Sequence, residues 1–320
     1  MVRLRLLAAT LLAFSLIACG GGDSSSTSSL YVGSTTAAVI TQTNADNIVR
    51  SAYQGGDTGT SLVGPLSAST SETRNVSTAS PPKVLSIVQM LTEVSGKVWS
   101  RRSTSGSVTP MAIVTVSNTI HDAYGGSISF TLSVNDPAGG FTGSFAFNNY
   151  HGDSGGAVSG TVNVSGTYNI VTSSIDHIHF TLIAVSVTDA SSGVTVSGSV
   201  ELLNGNPATG TVTLYMTNNV GGKTDWIDNF TITVTEGLGY AEATLSGKIY
   251  LHDYGFVVIS TPTPFRFLAG NTYPSSGTMI VTGASSGRAR LTISNPTSYT
   301  VDVDANGDGT YEISGSHTWS

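Results

Sequence analysis

The sequence predicts a mainly β protein built on one large, curved antiparallel sheet, with one or two helices before it. Three observations carry this prediction. From about Thr109 onward apolar residues recur at every second position, as in Ile128, Phe130, Leu132 and Val134 against Ser129, Thr131 and Ser133, and again in Phe230, Ile232 and Val234. That alternation is what antiparallel strands with one solvated face require. Turn signals punctuate the whole stretch: Asn135-Asp136-Pro137, Gly155-Gly156, Gly221-Gly222, Ser285-Ser286-Gly287 and Asn306-Gly307-Asp308-Gly309. About thirteen or fourteen strands fit between them. At ~4.8 Å per strand such a sheet would be roughly 65 Å wide, and open sheets beyond ~10 strands curl or split. A half-barrel or open barrel is expected, with a two-sheet sandwich as the alternative.

The elements follow in chain order. Arg3 and Arg5 precede the apolar run Leu6 to Ile17, which is too short for a membrane span and suits the apolar region of a signal peptide. Residues 1–18 are therefore read as a lipoprotein signal peptide. Leu16-Ile17-Ala18-Cys19 resembles a bacterial lipobox, in which cleavage precedes the Cys and the thiol receives a diacylglycerol. Cys19 is the chain's only cysteine, which excludes a disulfide scaffold and a cysteine-cluster zinc site. Stable anchoring takes more than one acyl chain, so Cys19 is expected to be multiply acylated. Residues 19–34 read as the lipidated tether, since Gly20 to Ser29 are Gly, Ser, Thr and a single Asp. The lipobox pattern with Gly20 after the Cys implies sorting to the outer membrane.

Residues 35–100 read as a helical segment with a loop. Asn44 or Thr43 is expected to cap a short helix through Ile48, Val49, Ala52 and Tyr53, stopped by Gly55-Gly56. After a Ser/Thr/Gly-rich stretch, Ser80 is expected to cap a second helix, with Pro81 or Pro82 in its first turn and a stripe that runs from Val84 to Val94. This second helix is expected to lie in the concave side of the sheet formed by residues 101–320. Within that sheet one pattern recurs: an apolar residue, Ser or Thr, then Gly, as in Phe141-Thr142-Gly143, Val158-Ser159-Gly160, Val164-Ser165-Gly166, Val196-Ser197-Gly198, Leu245-Ser246-Gly247 and Ile313-Ser314-Gly315. The glycines share parity with the buried residues. They are expected to curve the sheet and to leave room for a helix or ligand.

Charge narrows the function classes. The chain carries 13 Lys and Arg against 20 Asp and Glu, a net charge of −7, and only 10% of its residues are charged. Without residues 1–18 the net charge becomes −9. No Lys or Arg occurs between Arg102 and Lys223. Nucleic-acid binding and attraction to an anionic membrane face need the opposite balance.

The sharpest local motif is Asp304-Ala305-Asn306-Gly307-Asp308-Gly309, followed by Glu312. Oxygen-bearing side chains at alternate positions suit calcium, which takes six to eight oxygens. Gly315 stands where an EF-hand would place its bidentate Glu, so Asp304, Asn306, Asp308 and Glu312 are the expected ligand set of a shorter loop. The other reading is a hairpin turn in which Asn and Gly supply positive φ. His177 and His179 share one strand face but lack further ligands nearby. His121-Asp122 and His151-Gly152-Asp153 each offer half of a catalytic triad, yet no nucleophile elbow and no His-Glu-x-x-His motif accompanies them. No catalytic residues are assigned, and the chain is expected to be non-enzymatic. Tyr250, Tyr254 and Phe256 around His252-Asp253 form the densest aromatic cluster.

The lipobox, the Gly/Ser stretch, the Asn44-Ala45-Asp46-Asn47-Ile48 helix and the run from Tyr273 through Asp304 to Trp319 together resemble a group of β-rich lipoproteins of Gram-negative bacteria. The resemblance implies export and a continuous β architecture, and assigns no activity. The functional expectation is an outer-membrane lipoprotein that binds a hydrophobic or lipid-like ligand on the curved sheet. The alternatives are a surface adhesion or envelope-assembly module and an outer-membrane pore.

Overall fold

The computed structural model describes residues 30–55, 113–135, 139–151, 156–169, 174–188, 193–268, 271 and 273–319. The expected signal peptide, Cys19 and the expected Val84–Val94 helix lie outside the described residues. The strands are β1 (Ile113–His121), β2 (Ser127–Asn135), β3 (Gly140–His151), β4 (Ala157–Asn169), β5 (Ser174–Thr188), β6 (Gly193–Leu203), β7 (Ala208–Asn218), β8 (Thr224–Gly237), β9 (Tyr240–Leu251), β10 (Gly255–Leu268), β11 (Ser276–Thr282), β12 (Arg288–Asn295), β13 (Ser298–Asp304) and β14 (Ile313–Thr318). They form a single 14-stranded sheet in which every strand pairs antiparallel with its chain neighbours, in the order β1 to β14. The sheet is open and the sandwich alternative is not adopted. Because the strands alternate in direction, the β1–β2, β3–β4, β5–β6, β7–β8, β9–β10, β11–β12 and β13–β14 connections share one rim, here the upper rim.

One face carries the core. Ile128, Phe130, Leu132 and Val134 stand opposite Phe147, Phe145, Gly143 and Phe141, and the row through Gly143 continues over Val164, Phe180, Val200, Val212 and Phe230, all buried. The opposite face is polar and regular. Thr115, Ser133, Thr142, Ser165, His179, Glu201, Thr211, Thr231 and Ser246 align across β1 to β9. Parallel to them runs a ladder of hydroxyl pairs, such as Ser117 with Thr131 at 3.0 Å.

The helix, α1, is described over residues 45–55 and lies on the apolar face. Ile48, Val49, Ala52 and Tyr53 are buried in the same cluster as the sheet core, each of the larger side chains worth about 1.5–3 kcal/mol. Tyr53 meets Phe265 edge-on at 5.4 Å, and Tyr299 donates a hydrogen bond to Asp46 at 3.0 Å. The cap differs from the sequence expectation. The first turn starts at Thr41, whose carbonyl accepts the Ala45 N–H, while the Asn44 side chain reaches back to accept the Thr41 N–H at 2.8 Å. Asn44 thus plays the returning role of a capping box, a role open to any side-chain acceptor three residues after the cap.

The Ser/Thr-Gly pattern has a mechanical explanation. On β3, β5 and β8 one residue bulges out with positive φ: Asn149, Ala184 and Asn229. Each bulged N–H finds a hydroxyl on the adjacent strand: Ser159 at 3.0 Å, Ser197 at 3.1 Å and Thr213 at 3.2 Å. The glycines that follow two of those serines, Gly160 and Gly198, take φ of 123° and 137°. Gly247, with φ of 141°, faces the third bulge. These positions lie a few residues in from the upper rim on successive strands and form a transverse crease. Bulges bend the strand that carries them, and paired glycine kinks let the neighbour follow. Gly166 does different work, since a Cβ there would meet the Phe141 ring at 2.7 Å. The glycines therefore curve the sheet, as expected, and seat neighbouring aromatic rings.

Candidate functional site

Two sites on the upper rim carry convergent polar chemistry. The first is the β13–β14 connection. Asp304 ends β13 fully buried, and its two carboxylate oxygens accept the N–H groups of Gly307 at 2.7 Å and Gly309 at 3.0 Å. Asn306 accepts the Asp308 N–H at 2.9 Å, and Asp308 accepts the Thr310 N–H at 2.8 Å. The Thr310 N–H, helped by the Asn306 amide, holds the Asp308 carboxyl below its ordinary range. Gly307 has φ of 76°, and a Cβ there would lie 2.4 Å from the Ser285 carbonyl, so the loop is pressed onto the β11–β12 turn. The result brings one oxygen each from Asp304, Asp308 and Glu312 within 4.8 Å of one another. Asn306 sits in the same turn with its amide on Asp308 at 3.1 Å. These are the residues predicted from sequence as calcium ligands, and hard oxygen donors are the donor set that calcium takes.

The second site is a cleft of about 440 Å³ between the β7–β8 and β9–β10 hairpins and α1, lined by Ser51, Met216, Lys223, Asp225, His252 and Tyr254, among others. Asp225 accepts the His252 N–H at 2.9 Å. Burial raises the Asp225 carboxyl above its ordinary range, and the His252 N–H and ring only partly offset this. The His252 Nδ1 is shielded from solvent and has no hydrogen-bond partner among the described residues. Lys223 and Asp253 pair at 2.6 Å on the open side. A concave site with a perturbed carboxyl and an unsatisfied ring nitrogen is a reasonable place for a ligand. Comparison with protein-family models, curated proteins and solved structures finds no match for this chain, so the reading rests on the site itself.

The structure separates the remaining sequence candidates. His177 pairs with Glu201 at 3.0 Å and His179 with Thr181 at 3.3 Å, both on the polar face. The two triad halves combine into one contact, with Asp122 bound to the His151 ring at 3.1 Å and to three backbone N–H groups. Tyr124 covers the His151 ring at 5.1 Å. The arrangement staples the β1–β2 hairpin to β3. Burial pushes the Asp122 carboxyl up, but the N–H groups of His151, Gly126 and Tyr124 and the His151 ring outweigh it and bring it down to about 2 from 3.8. A carboxyl depressed in the folded state stabilises above its unfolded value and loses that contribution as pH falls. Urea midpoints are therefore expected to drop between about pH 4 and pH 2. Asp122→Asn should flatten that part of the profile, and an unchanged profile would show that the staple carries no stability.

The aromatic cluster divides in two. Tyr250 and Phe256 join Tyr215, Trp226 and Tyr31 on the polar face, where Trp226 stacks on Tyr250 at 4.3 Å. Tyr254 turns to the cleft. Asp225 was missed from sequence because parity counted back from Phe230 puts it on the solvent side. The bulge at Asn229 reverses the phase, so that Ile227 and Asp225 face inward and Trp226 outward.

Proposed function

We propose that this chain is a lipid-anchored protein of the outer membrane, non-enzymatic, that acts as an interaction module through its upper rim. The observation that carries this reading is the rim cleft, where Asp225 and the unpartnered His252 Nδ1 face a space large enough for a small polar ligand or a segment of a partner. The anchor comes from the sequence around Cys19. Residues 31–38 cross the same rim, with the Ser34 N–H on the His252 carbonyl and Ala37 paired to Phe256. The stretch between Cys19 and Tyr31 can span at most about 40 Å, so an acylated Cys19 would keep that rim close to the membrane.

A hydrophobic or lipid-like ligand would belong on the apolar face. There Ala38, Ile40 and α1 already share one buried cluster with the sheet, which shifts weight to the rim. A pore would need a closed barrel with apolar residues outward, and the open sheet with an inward core lends that reading no support. In the β13–β14 loop calcium would bridge Asp304, Asp308 and Glu312 and stiffen the rim.

Two arms test the proposal in cells. Cys19→Ser is expected to move the chain from the membrane to the soluble fraction on ultracentrifugation. A photo-cross-linking residue at Lys223 should capture an envelope component that the same residue at Glu236, on the opposite rim, does not. Membrane retention of Cys19→Ser would overturn the anchor, and identical adducts at both positions would overturn the rim.

A further inference from the structure

Among the described residues, nothing protects the first strand of the sheet, an edge. Among the described residues β1 pairs only with β2, through nine consecutive pairs without a bulge. Thr115, Val116, Ser117, Asn118 and Thr119 are all exposed, although they alternate between the two faces. Exposure on both faces in succession means that none of the described residues covers the edge or the inner side there. Natural edge strands are blunted by lysine, proline, bulges or shortness. The sequence Ile-Val-Thr-Val-Ser-Asn-Thr-Ile-His has none of these. The other edge is managed: β14 has six residues, includes Gly315, and is tied down through Ser314 to Asp302 at 2.6 Å and His317 to Asp46 at 3.5 Å.

The free hydrogen-bonding groups of β1 can be placed. The Thr119 N–H is taken by the Asn118 side chain at 2.8 Å, so it points away from β2. By alternation the N–H groups of Ser117 and Thr115 point the same way. Opposite Leu132, Phe130 and Ile128, the inner positions of β1 are Val116, Asn118 and Ile120. Read backwards, this row is Ile, Asn, Val, which makes it complementary to itself.

We infer that β1 is a docking edge for a second copy of this chain, the two β1 strands pairing antiparallel about a two-fold axis at Asn118. With Asn118 opposite its counterpart, Val116 faces Ile120 on both sides of the axis. Ser117 opposite Thr119, and Thr115 opposite His121, become the hydrogen-bonded pairs, using the N–H groups that point outward. The outer hydroxyl ladder, in which Thr115, Ser117 and Thr119 already pair with Ser133, Thr131 and Ser129, would continue into the partner. Centring the axis on Ser117 instead would set Val116 against Asn118 and waste the apolar match. A slip of one residue would turn inner side chains to the outer face. The Asn118 amides, released from Thr119, would bond to each other at the axis and select the register, a role a single polar residue in an apolar row can fill. An isologous pairing of this kind closes at two copies. The inference does not depend on the lipid anchor or the rim cleft.

The register makes the test specific. Asn118 falls at a non-hydrogen-bonded pair, where Cα atoms lie about 4.5 Å apart, within disulfide reach. The full chain with Asn118→Cys, oxidised in intact cells, is expected to run mostly at twice its mass on a non-reducing gel. Ser117→Cys and the wild type, which carries only Cys19, should remain single. Ser117→Pro removes an outward N–H and leaves the β1–β2 ladder intact. It should convert the detergent-solubilised chain from dimer to monomer in sedimentation with unchanged circular dichroism. A monomeric wild type at tens of micromolar would overturn the inference. So would equal cross-linking through Ser117→Cys, an adduct of another mass, or a dimer that survives Ser117→Pro.

Discussion

Gly198→Ala is expected to cost about 3 kcal/mol or more of folding stability, read as a lower urea midpoint with an unchanged slope. Two effects add at this position. The backbone holds φ of 137°, a region that residues with a Cβ essentially do not occupy. The added Cβ would also lie 2.1 Å from the Thr213 carbonyl and 3.0 Å from the Leu214 Cα, both backbone atoms that cannot swing aside. Relief would require flattening the crease where β6 meets β7, and that would lift Val196 and Val200 off the core, where both are fully buried. Gly221→Ala, in the exposed β7–β8 turn where an added Cβ would meet only the Lys223 Cγ at an ordinary 4.0 Å, is the control and should change stability by less than about 0.5 kcal/mol. Equal effects at the two positions would mean that the crease is not what holds the curvature.

Asp304→Ala should be the second large effect, about 2–4 kcal/mol, because it removes a buried carboxylate that satisfies two backbone N–H groups. Asp308→Ala should act differently. Its side chain is exposed, so stability without calcium should stay within about 0.5 kcal/mol of wild type. The wild type is expected to gain about 2.7 kcal/mol at a hundredfold excess of calcium over its dissociation constant. Asp308→Ala should lose that gain, because two carboxylates remain where three converge within 4.8 Å. Thermal melts with and without calcium separate the two readings of the loop. A wild type indifferent to calcium, or an equal gain in Asp308→Ala, leaves the segment as a turn held by Asp304 alone.

Much of the architecture is legible in the residues. The two-residue period from Thr109, the turn signals and the width argument lead to one large open sheet, and the parity of Ser/Thr-Gly places those glycines on the inner face. The Asp304 loop is legible as well, because the spacing of its oxygen-bearing side chains is local and needs only one turn to close. What the period could not reveal is where it breaks. The bulges at Asn149, Ala184 and Asn229 each reverse the alternation, and no residue type marks all three. Ala184 in particular sits at φ of 47° with nothing in the sequence to announce it. The hydroxyls that satisfy the bulged N–H groups come from neighbouring strands, 10 to 16 residues away. Such partners are matched by register and not by sequence proximity.

The sequence by itself thus determined the class of the fold, the sidedness of most strands and the gathering of the Asp304, Asp308 and Glu312 carboxylates in one turn, because each rests on spacing within one segment. Only the tertiary structure decided that Asp225 meets His252, that Asp122 staples His151 and that β1 is paired on one side only among the described residues. Each of these depends on which strands stand side by side, and the first two also on a phase shift of one residue, since in an antiparallel sheet a single bulge exchanges the two faces.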